Sequence, residues 1–166
     1  MKALLTKKKP EKKLLKFLKN KAGRGSSGRI TVRHKGGGAK RLYRMVDFKQ
    51  AKFDIPAKVV SIEYDPYRTA YIMLLIYKDG EKRYSIAPHN IKVGDEIICS
   101  ENAELKTGNR LKIKNIPVGT SVHNVELNPS RGAKIVRSAG SFAKVSGTEG
   151  KYSIIQMPSG EIRKVL

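Results

Sequence analysis

From about residue 42 onward, the chain consists of short apolar stretches separated by turn sequences. Asp65-Pro66-Tyr67-Arg68 and Lys78-Asp79-Gly80-Glu81 are typical tight turns, because Pro favours the second turn position and Asp-Gly favours hairpins. Thr69–Tyr77 is almost entirely apolar, so we expect burial on both faces. The pattern predicts five antiparallel strands closed into a small barrel such as the OB fold: Leu42–Lys49, Ala57–Tyr64, Thr69–Tyr77, Lys82–Ala87 and Glu96–Ser100.

A second series of short strands follows the polar segment 101–110. Its turns are 128–132, 146–150 and 158–160, and its size suits an SH3-like barrel. The 15 Gly and 7 Pro of the 166 residues exclude a coiled coil or a simple helical bundle. We therefore predict an all-β protein with a basic N-terminal arm (1–41), an OB-fold domain (42–110) and an SH3-like domain (111–166). The predicted strands of the second barrel are Ser121–Leu127, Ala133–Val136, Phe142–Val145, Tyr152–Met157 and Glu161–Leu166.

Basic residues are concentrated in the first quarter of the chain. The whole chain has a net charge of +21, and residues 1–44 contribute +15 of it, with eleven Lys and five Arg against Glu11 alone. A basic segment on a less charged body is suited to a polyanion, because each neutralised phosphate releases condensed counterions. The charge distribution predicts a nucleic-acid partner.

The arm contains one stretch with helical periodicity, Glu11–Lys21. Leu14, Leu15 and Leu18 would share one stripe of this helix, with lysines around them. Such a helix could lie on a membrane or act as a targeting presequence. Against a presequence, the segment is rich in Lys and has no Arg or Ser before position 24. We therefore favour an arm that becomes ordered on its partner.

Two glycine-rich sequences follow this stretch. Gly23–Gly28 (GRGSSG) matches the dinucleotide fingerprint GxGxxG, but it lacks the required preceding strand and following helix, so we regard the match as accidental. Gly36, Gly37 and Gly38 are flanked by basic residues on both sides. Glycines let a backbone turn freely and approach phosphate oxygens closely. We predict a phosphate-contacting loop here; a flexible linker is the alternative.

No residue pattern supports catalysis, a cofactor or a metal. A lone Cys99 excludes a disulfide framework and a multi-cysteine zinc site, and His34, His89 and His123 lie far apart in sequence. The longest apolar run, Ala70–Tyr77, is far shorter than the roughly 20 residues that span a bilayer. We therefore expect a protein that is not an enzyme, with no cofactor, no metal and no membrane partner.

Several motifs resemble the ribosomal protein L2 family. They include Gly28–Gly38 (GRITVRHKGGG) with Lys40–Arg44 (KRLYR), Ile62–Pro66 (IEYDP), Tyr77–Glu81 (YKDGE), Asn115–Gly119 (NIPVG) with His123-Asn124, and Arg137–Gly140 (RSAG). The resemblance is collinear from about Gly23 to Leu166. It implies an OB-fold domain and an SH3-like barrel bound to large-subunit ribosomal RNA, in agreement with the strand pattern.

The resemblance also implies a role and partners. The expected role is that of a structural constituent of the large subunit that supports subunit assembly and association and the peptidyl transferase region. The expected partners are ribosomal RNA and neighbouring ribosomal proteins, and we do not expect a free homo-oligomer. The alternative is a free OB/SH3-like translation factor or RNA chaperone, although such factors usually lack so cationic an arm.

Family members usually continue past the position of Leu166 with a Gly- and His-rich tail. We expect a separate polypeptide, or rearranged neighbours, to occupy the space of that tail.

The 24 Lys against 11 Arg indicate AT-rich coding. We therefore expect a ribosome in an organelle, the mitochondrion rather than the plastid, or in the cytoplasm of a low-GC bacterium.

The predicted RNA-binding residues are basic groups beside glycines or aromatic rings. Arg binds phosphate with two parallel hydrogen bonds or stacks on bases, and Tyr43 and Tyr67 are either base-stacking residues or barrel-core residues. Lys114-Asn115 and His123-Asn124 contact RNA or form a buried polar network between the barrels. The complete predicted set is Arg24, Arg29, Arg33, His34, Lys35, Gly36, Gly37, Gly38, Lys40, Arg41, Tyr43, Arg44, Arg68, Lys114, Asn115, His123, Asn124, Arg137 and Ser138.

Overall fold

The computed structural model describes residues 5–166, and these form an all-β structure. They contain ten short strands and two single-turn 3-10 helices, Lys12–Leu14 and Ile113–Asn115. Within residues 5–166, neither helix has the length or the apolar composition of a membrane span. The predicted architecture, an OB-fold barrel followed by an SH3-like barrel, is confirmed.

The first barrel is built around a four-stranded antiparallel sheet. Its strands are β3 (Ala57–Glu63), β4 (Ile72–Tyr77), β5 (Lys82–Ile86) and β6 (Glu96–Ile97), in the order β5-β4-β3-β6. The predicted hairpin between β4 and β5 is present, because the Tyr77 N–H donates to the Glu81 carbonyl at 2.9 Å. Gly80 supplies the positive φ of +82° in this turn.

Strand β4 is buried on both faces, as its apolar sequence predicts. Met73 and Leu75 belong to a cluster with Val59 and Ile62, while Ile72 and Leu74 belong to another. Side chains alternate between the two faces of a strand, so β4 supplies two cores. The second core contains Tyr84 and is covered by Leu14 and Val46.

The predicted helix at Glu11–Lys21 is not formed. This segment contains the 3-10 helix Lys12–Leu14, followed by β1 (Leu15–Phe17), which pairs antiparallel with β2 (Leu42–Arg44). An isolated helix of this length is marginal, and tertiary contacts replace it. Leu14 packs on the second core, and the Glu11 N–H donates to the Tyr84 hydroxyl at 2.9 Å.

This pairing makes residues 18–41 a long loop between two neighbouring strands. Phe17, the last residue of β1, lies opposite Leu42, the first residue of β2, so the loop begins and ends at one pair of opposed residues. The predicted first strand, Leu42–Lys49, is correspondingly shorter. After β2, Val46 forms a parallel bridge with Tyr84, which attaches the segment to β5. The predicted strand Glu96–Ser100 is likewise reduced to β6, with a bridge between Cys99 and Arg110.

The second barrel has its own sheet and core. Its strands are β7 (Ser121–Val122), β8 (Ala143–Glu149), β9 (Tyr152–Gln156) and β10 (Ile162–Val165), in the order β10-β9-β8-β7. The predicted turn at 146–150 is wrong, because β8 continues to Glu149 and is irregular between Val145 and Gly147. The predicted strands Ser121–Leu127 and Ala133–Val136 are mostly irregular, and a Val125–Ile135 bridge joins them.

Candidate nucleic-acid interface

The loop 18–41 carries a dense set of basic side chains. Its first half is a compact hairpin in which Arg24 bridges Ile30, and the Arg24 guanidinium donates to the Gly28 carbonyl at 2.9 Å. The sequence GRGSSG forms the tip of this hairpin, with no helix following it, so it does not have the dinucleotide-binding structure. The predicted site residues Arg24, Arg29, Arg33, His34, Lys35, Lys40 and Arg41 are all exposed.

These cations are not neutralised by the protein's own acids. Within residues 5–166, every ion pair uses a Lys or Arg from position 52 onward: Lys52, Arg68, Lys82, Arg83, Lys106, Arg110, Lys112, Arg163 and Lys164. Except for Glu11, which pairs with Lys82, the acids in these ion pairs belong to the body and compensate cations of the body. The Lys and Arg side chains of the loop 18–41 are exposed to solvent and form no ion pair with a carboxylate of residues 5–166.

The three glycines of the loop do not need their conformational freedom in the free protein. A positive φ occurs at His34 (+60°), whereas none is found at Gly36, Gly37 or Gly38. A Cβ at Gly36 or Gly38 would meet nothing within 4 Å, and at Gly37 the nearest atom would be the Ala22 Cβ at 3.5 Å. The free fold therefore gives no packing reason for these three residues. Gly23 is different, since a Cβ there would lie 2.4 Å from the Val32 carbonyl oxygen.

The turn 65–68 holds an arginine and a tyrosine in fixed positions. The Asp65 carboxylate is completely buried and accepts from the Arg68 Nε at 2.6 Å and from the Tyr67 N–H at 3.0 Å. The rings of Tyr67 and Tyr43 are in edge contact, with centroids 5.4 Å apart. The Arg68 guanidinium lies 5.8 Å from the centroid of Tyr43, so three predicted or candidate residues meet here.

Arg68 and Arg137 meet across the seam between the two barrels. The guanidinium of Arg137 lies 4.7 Å from the centroid of Phe48, and that of Arg68 lies 5.7 Å from the same ring. Two backbone N–H groups of the second barrel also donate hydrogen bonds across the seam. Ala133 donates to the Phe48 carbonyl at 3.0 Å, and Ala139 donates to the Thr69 hydroxyl at 3.1 Å.

The backbone around Arg137 has an unusual conformation. Val136 has a φ of +57°, which is rare for a β-branched residue, and its side chain is buried in the second core. Its carbonyl accepts from the Asn124 N–H at 2.8 Å. The exposed Arg137 follows directly, and Ser138 begins the turn 138–141, where the Ser138 carbonyl accepts from the Ser141 hydroxyl at 2.7 Å.

The remaining predicted residues make other contacts. Lys114 and Asn115 are exposed in the 3-10 helix Ile113–Asn115, and the Asn115 amide donates to the Glu101 carbonyl at 2.9 Å. His123 is half-buried, and burial lowers the pKa of its imidazole. Arg44 is half-buried and donates to the Leu42 carbonyl at 2.8 Å.

Sequence reasoning missed two residues that organise this surface, Asp65 and Phe48. The sequence predicts Asp65 only as part of a turn, although its three-residue spacing from Arg68 is a signal for an ion pair within that turn. Phe48 belongs to a predicted strand, and nothing in its sequence context indicates that arginines from two barrels contact it. The seam also includes the pair Arg110–Glu126 at 2.5 Å, which joins the barrels.

Cys99 is poorly suited to nucleophilic chemistry. Burial raises the pKa of its thiol, so the reactive thiolate is disfavoured. Within residues 5–166, no group of three or more His, Cys, Asp and Glu side chains is arranged to hold a metal ion.

Both parts of the chain match family models. The model described as Ribosomal Proteins L2, RNA binding N-terminal domain, matches residues 11–99. The model described as Ribosomal Proteins L2, C-terminal domain, matches residues 106–166. The two matches together cover both barrels and most of the loop-bearing N-terminal segment.

Proposed function

The chain belongs to the ribosomal protein L2 family, whose members are structural, RNA-binding proteins of the large ribosomal subunit, and from this premise we propose how it binds ribosomal RNA. The loop 18–41 and the seam around Phe48 form one RNA-binding surface. The loop contacts phosphates, and the seam arginines bind a more defined part of the same RNA. The role is structural and not catalytic.

The distribution of ion pairs carries this proposal. Nine Lys and Arg side chains from position 52 onward are paired with carboxylates, whereas the basic side chains of the described loop are not. An unpaired, exposed cation gains most from a phosphate, since the ion pair releases counterions without first breaking an internal bond. The loop is therefore the main electrostatic contact, and its glycines give the RNA backbone close access.

RNA binding at the seam depends on how the two barrels are oriented. Arg68 comes from the first barrel and Arg137 from the second, and both contact Phe48. An RNA that contacts both guanidinium groups holds the two barrels in one orientation relative to the folded RNA. We propose that this supports large-subunit assembly and the order of the peptidyl transferase region.

Sedimentation tests the ribosomal role: comigration with large subunits after a high-salt wash supports it, and release favours a free translation factor.

The direct test uses two variants of equal charge change. In the first, Arg24, Arg29, Arg33 and Arg41 are replaced with Gln. In the second, four residues that are paired with carboxylates, Lys106, Lys112, Arg163 and Lys164, are replaced with Gln. We expect the first variant to bind large-subunit rRNA far more weakly and with a smaller salt dependence, and the second to remain close to wild type. Equal losses in both variants would mean that only net charge matters and would contradict the proposed surface.

A third variant asks whether the loop is separable from the fold. Because Phe17 lies opposite Leu42, an Asn-Gly turn in place of residues 18–41 can close the β1–β2 hairpin directly. We expect this protein to keep its melting temperature and to lose most of its RNA affinity. Retained affinity at moderate salt would exclude the loop as the main contact.

Two further expectations remain predictions. They are the absence of a free homo-oligomer, and a ribosome in an organelle, the mitochondrion rather than the plastid, or in a low-GC bacterium. Light scattering of the free protein tests the first, and identification of the encoding genome tests the second.

A further inference from the structure

Tyr67 is held rigidly at the surface although its ring lies outside the buried cores. It is 43% exposed and belongs to none of the three buried clusters of the described chain. Its N–H is fixed by the buried Asp65 carboxylate at 3.0 Å, and its hydroxyl lies 3.5 Å from the Arg41 carbonyl. The Arg41 guanidinium in turn reaches the Pro66 carbonyl at 3.4 Å. The backbone of Tyr67 and the hydroxyl end of its side chain therefore both have a partner.

The arrangement of the two rings explains what supports Tyr67. Tyr43 is half-buried, and its ring makes an edge contact with Tyr67 at an interplanar angle of 75°. Such edge contacts are favourable and fix the orientation of an aromatic ring. The Arg68 guanidinium lies on the Tyr43 side of the pair, 5.8 Å from the centroid of that ring. Tyr43 is thus covered, and Tyr67 is the member of the pair that is accessible.

The charges around the pair suit an RNA backbone. Arg41 is exposed beside Tyr67, and Arg68 is fixed beside Tyr43, whereas the Asp65 carboxylate, which accepts from the Tyr67 N–H, is buried and paired with Arg68. Unpaired RNA bases stack on aromatic side chains while cations hold the neighbouring phosphates. A base inside a regular duplex cannot reach such a ring, because its faces are already stacked.

From these contacts we infer that Tyr67 is a stacking platform for one unpaired base of the bound RNA, with Arg41 and Arg68 beside the flanking phosphates. This inference rests on the proposed RNA-binding function and specifies its ligand: an extruded or bulged nucleotide, and not a continuous duplex. The two parts of the RNA-binding surface then have different roles: the loop 18–41 contributes affinity for any RNA, and Tyr67 contributes the preference for an unpaired nucleotide.

The experiment uses two RNA hairpins that differ at one position. In one hairpin, 2-aminopurine forms a single-nucleotide bulge; in the other, it is paired within the stem. We expect the wild-type protein to bind the bulged hairpin more tightly and to quench its fluorescence by stacking. Tyr67→Phe should retain both effects. Tyr67→Leu should lose the quenching and bind the bulged hairpin about tenfold more weakly, with an unchanged salt dependence, because no phosphate contact is removed.

Two controls keep the outcomes distinct. Tyr67→Asn preserves the turn and the bond to Asp65, so it replaces the Leu variant if that protein does not fold. Equal binding and equal quenching of both hairpins by wild type, or retained preference in both ring-less variants, would overturn the inference while leaving RNA binding intact. A wild-type protein with no affinity for either hairpin or for large-subunit rRNA would instead overturn the proposed function.

Discussion

The Tyr84 hydroxyl donates a hydrogen bond of 2.8 Å to the Glu63 carboxylate inside the first barrel. Both side chains are buried, and the other Glu63 oxygen accepts from the Ser61 hydroxyl at 2.8 Å. The Tyr84 oxygen also accepts from the Glu11 N–H, so it joins the N-terminal segment to the core. Burial raises the pKa of Tyr84, which therefore remains a donor across the ordinary pH range.

Removal of this hydroxyl should destabilise the first barrel. Tyr84→Phe leaves one Glu63 oxygen and the Glu11 N–H without their partner, and a buried polar group that loses its bond costs about 2 kcal/mol. Urea denaturation measures the loss. Tyr71→Phe, at an exposed tyrosine of the same barrel, serves as the control and should have no measurable effect. Equal stability of both variants would mean that water replaces the Tyr84 hydroxyl.

Asp65 should matter for both stability and RNA binding. Asp65→Asn removes the charge that pairs with Arg68, and loss of one partner of a buried ion pair costs about 3 kcal/mol. Arg68 would also lose its fixed position at the seam, so affinity for rRNA should fall. Denaturation and filter binding measure the two effects. Glu161→Gln, which breaks the exposed Glu161–Arg163 pair, should change neither; an equally silent Asp65→Asn would contradict the positioning role.

Replacement of Gly36, Gly37 and Gly38 with Val should impair RNA binding more than stability. None of the three has a positive φ, and a Cβ meets open space at two of them. The branched side chains would obstruct the approach of the RNA backbone. The control is Gly108→Ala, whose Cβ would lie 2.7 Å from Ile97 at a φ of +100° and should lower the melting temperature. A comparable loss in the triple variant would make the loop structural.

His123 should make the protein less stable in mild acid. Burial lowers the pKa of its imidazole, so the folded state keeps this group neutral while the unfolded chain takes up a proton below its ordinary pKa of about 6.5. The penalty is absent above that pH and grows as the pH falls from there towards the folded pKa. Melting temperatures at pH 7.5 and 5.5 measure it. His123→Gln should reduce the difference, whereas His89→Gln, at an exposed site, should leave it unchanged.

The elements that sequence reasoning predicted best are those with local causes. The hairpin at Lys78–Glu81 follows from Asp-Gly turn chemistry, and the double burial of β4 follows from its apolar sequence. The excess of cations before position 44 is likewise visible without a structure. The predicted helix at Glu11–Lys21 is wrong because the apolar residues of this segment can also cover a core without forming a helix. Whether the segment is helical or extended depends on that core, which exists only in the folded protein.

The all-β class, the two barrels and the basic segment follow from local sequence, because period-two apolar patterns, turn residues and charge act over short distances. The position of the basic segment as a loop between paired strands, and the contact of Phe48 with both Arg68 and Arg137, are visible only in the folded protein. The same is true of the buried Asp65, which fixes Tyr67 at the surface. These relationships join residues far apart in the chain or depend on burial, and burial exists only once both barrels have folded and packed together.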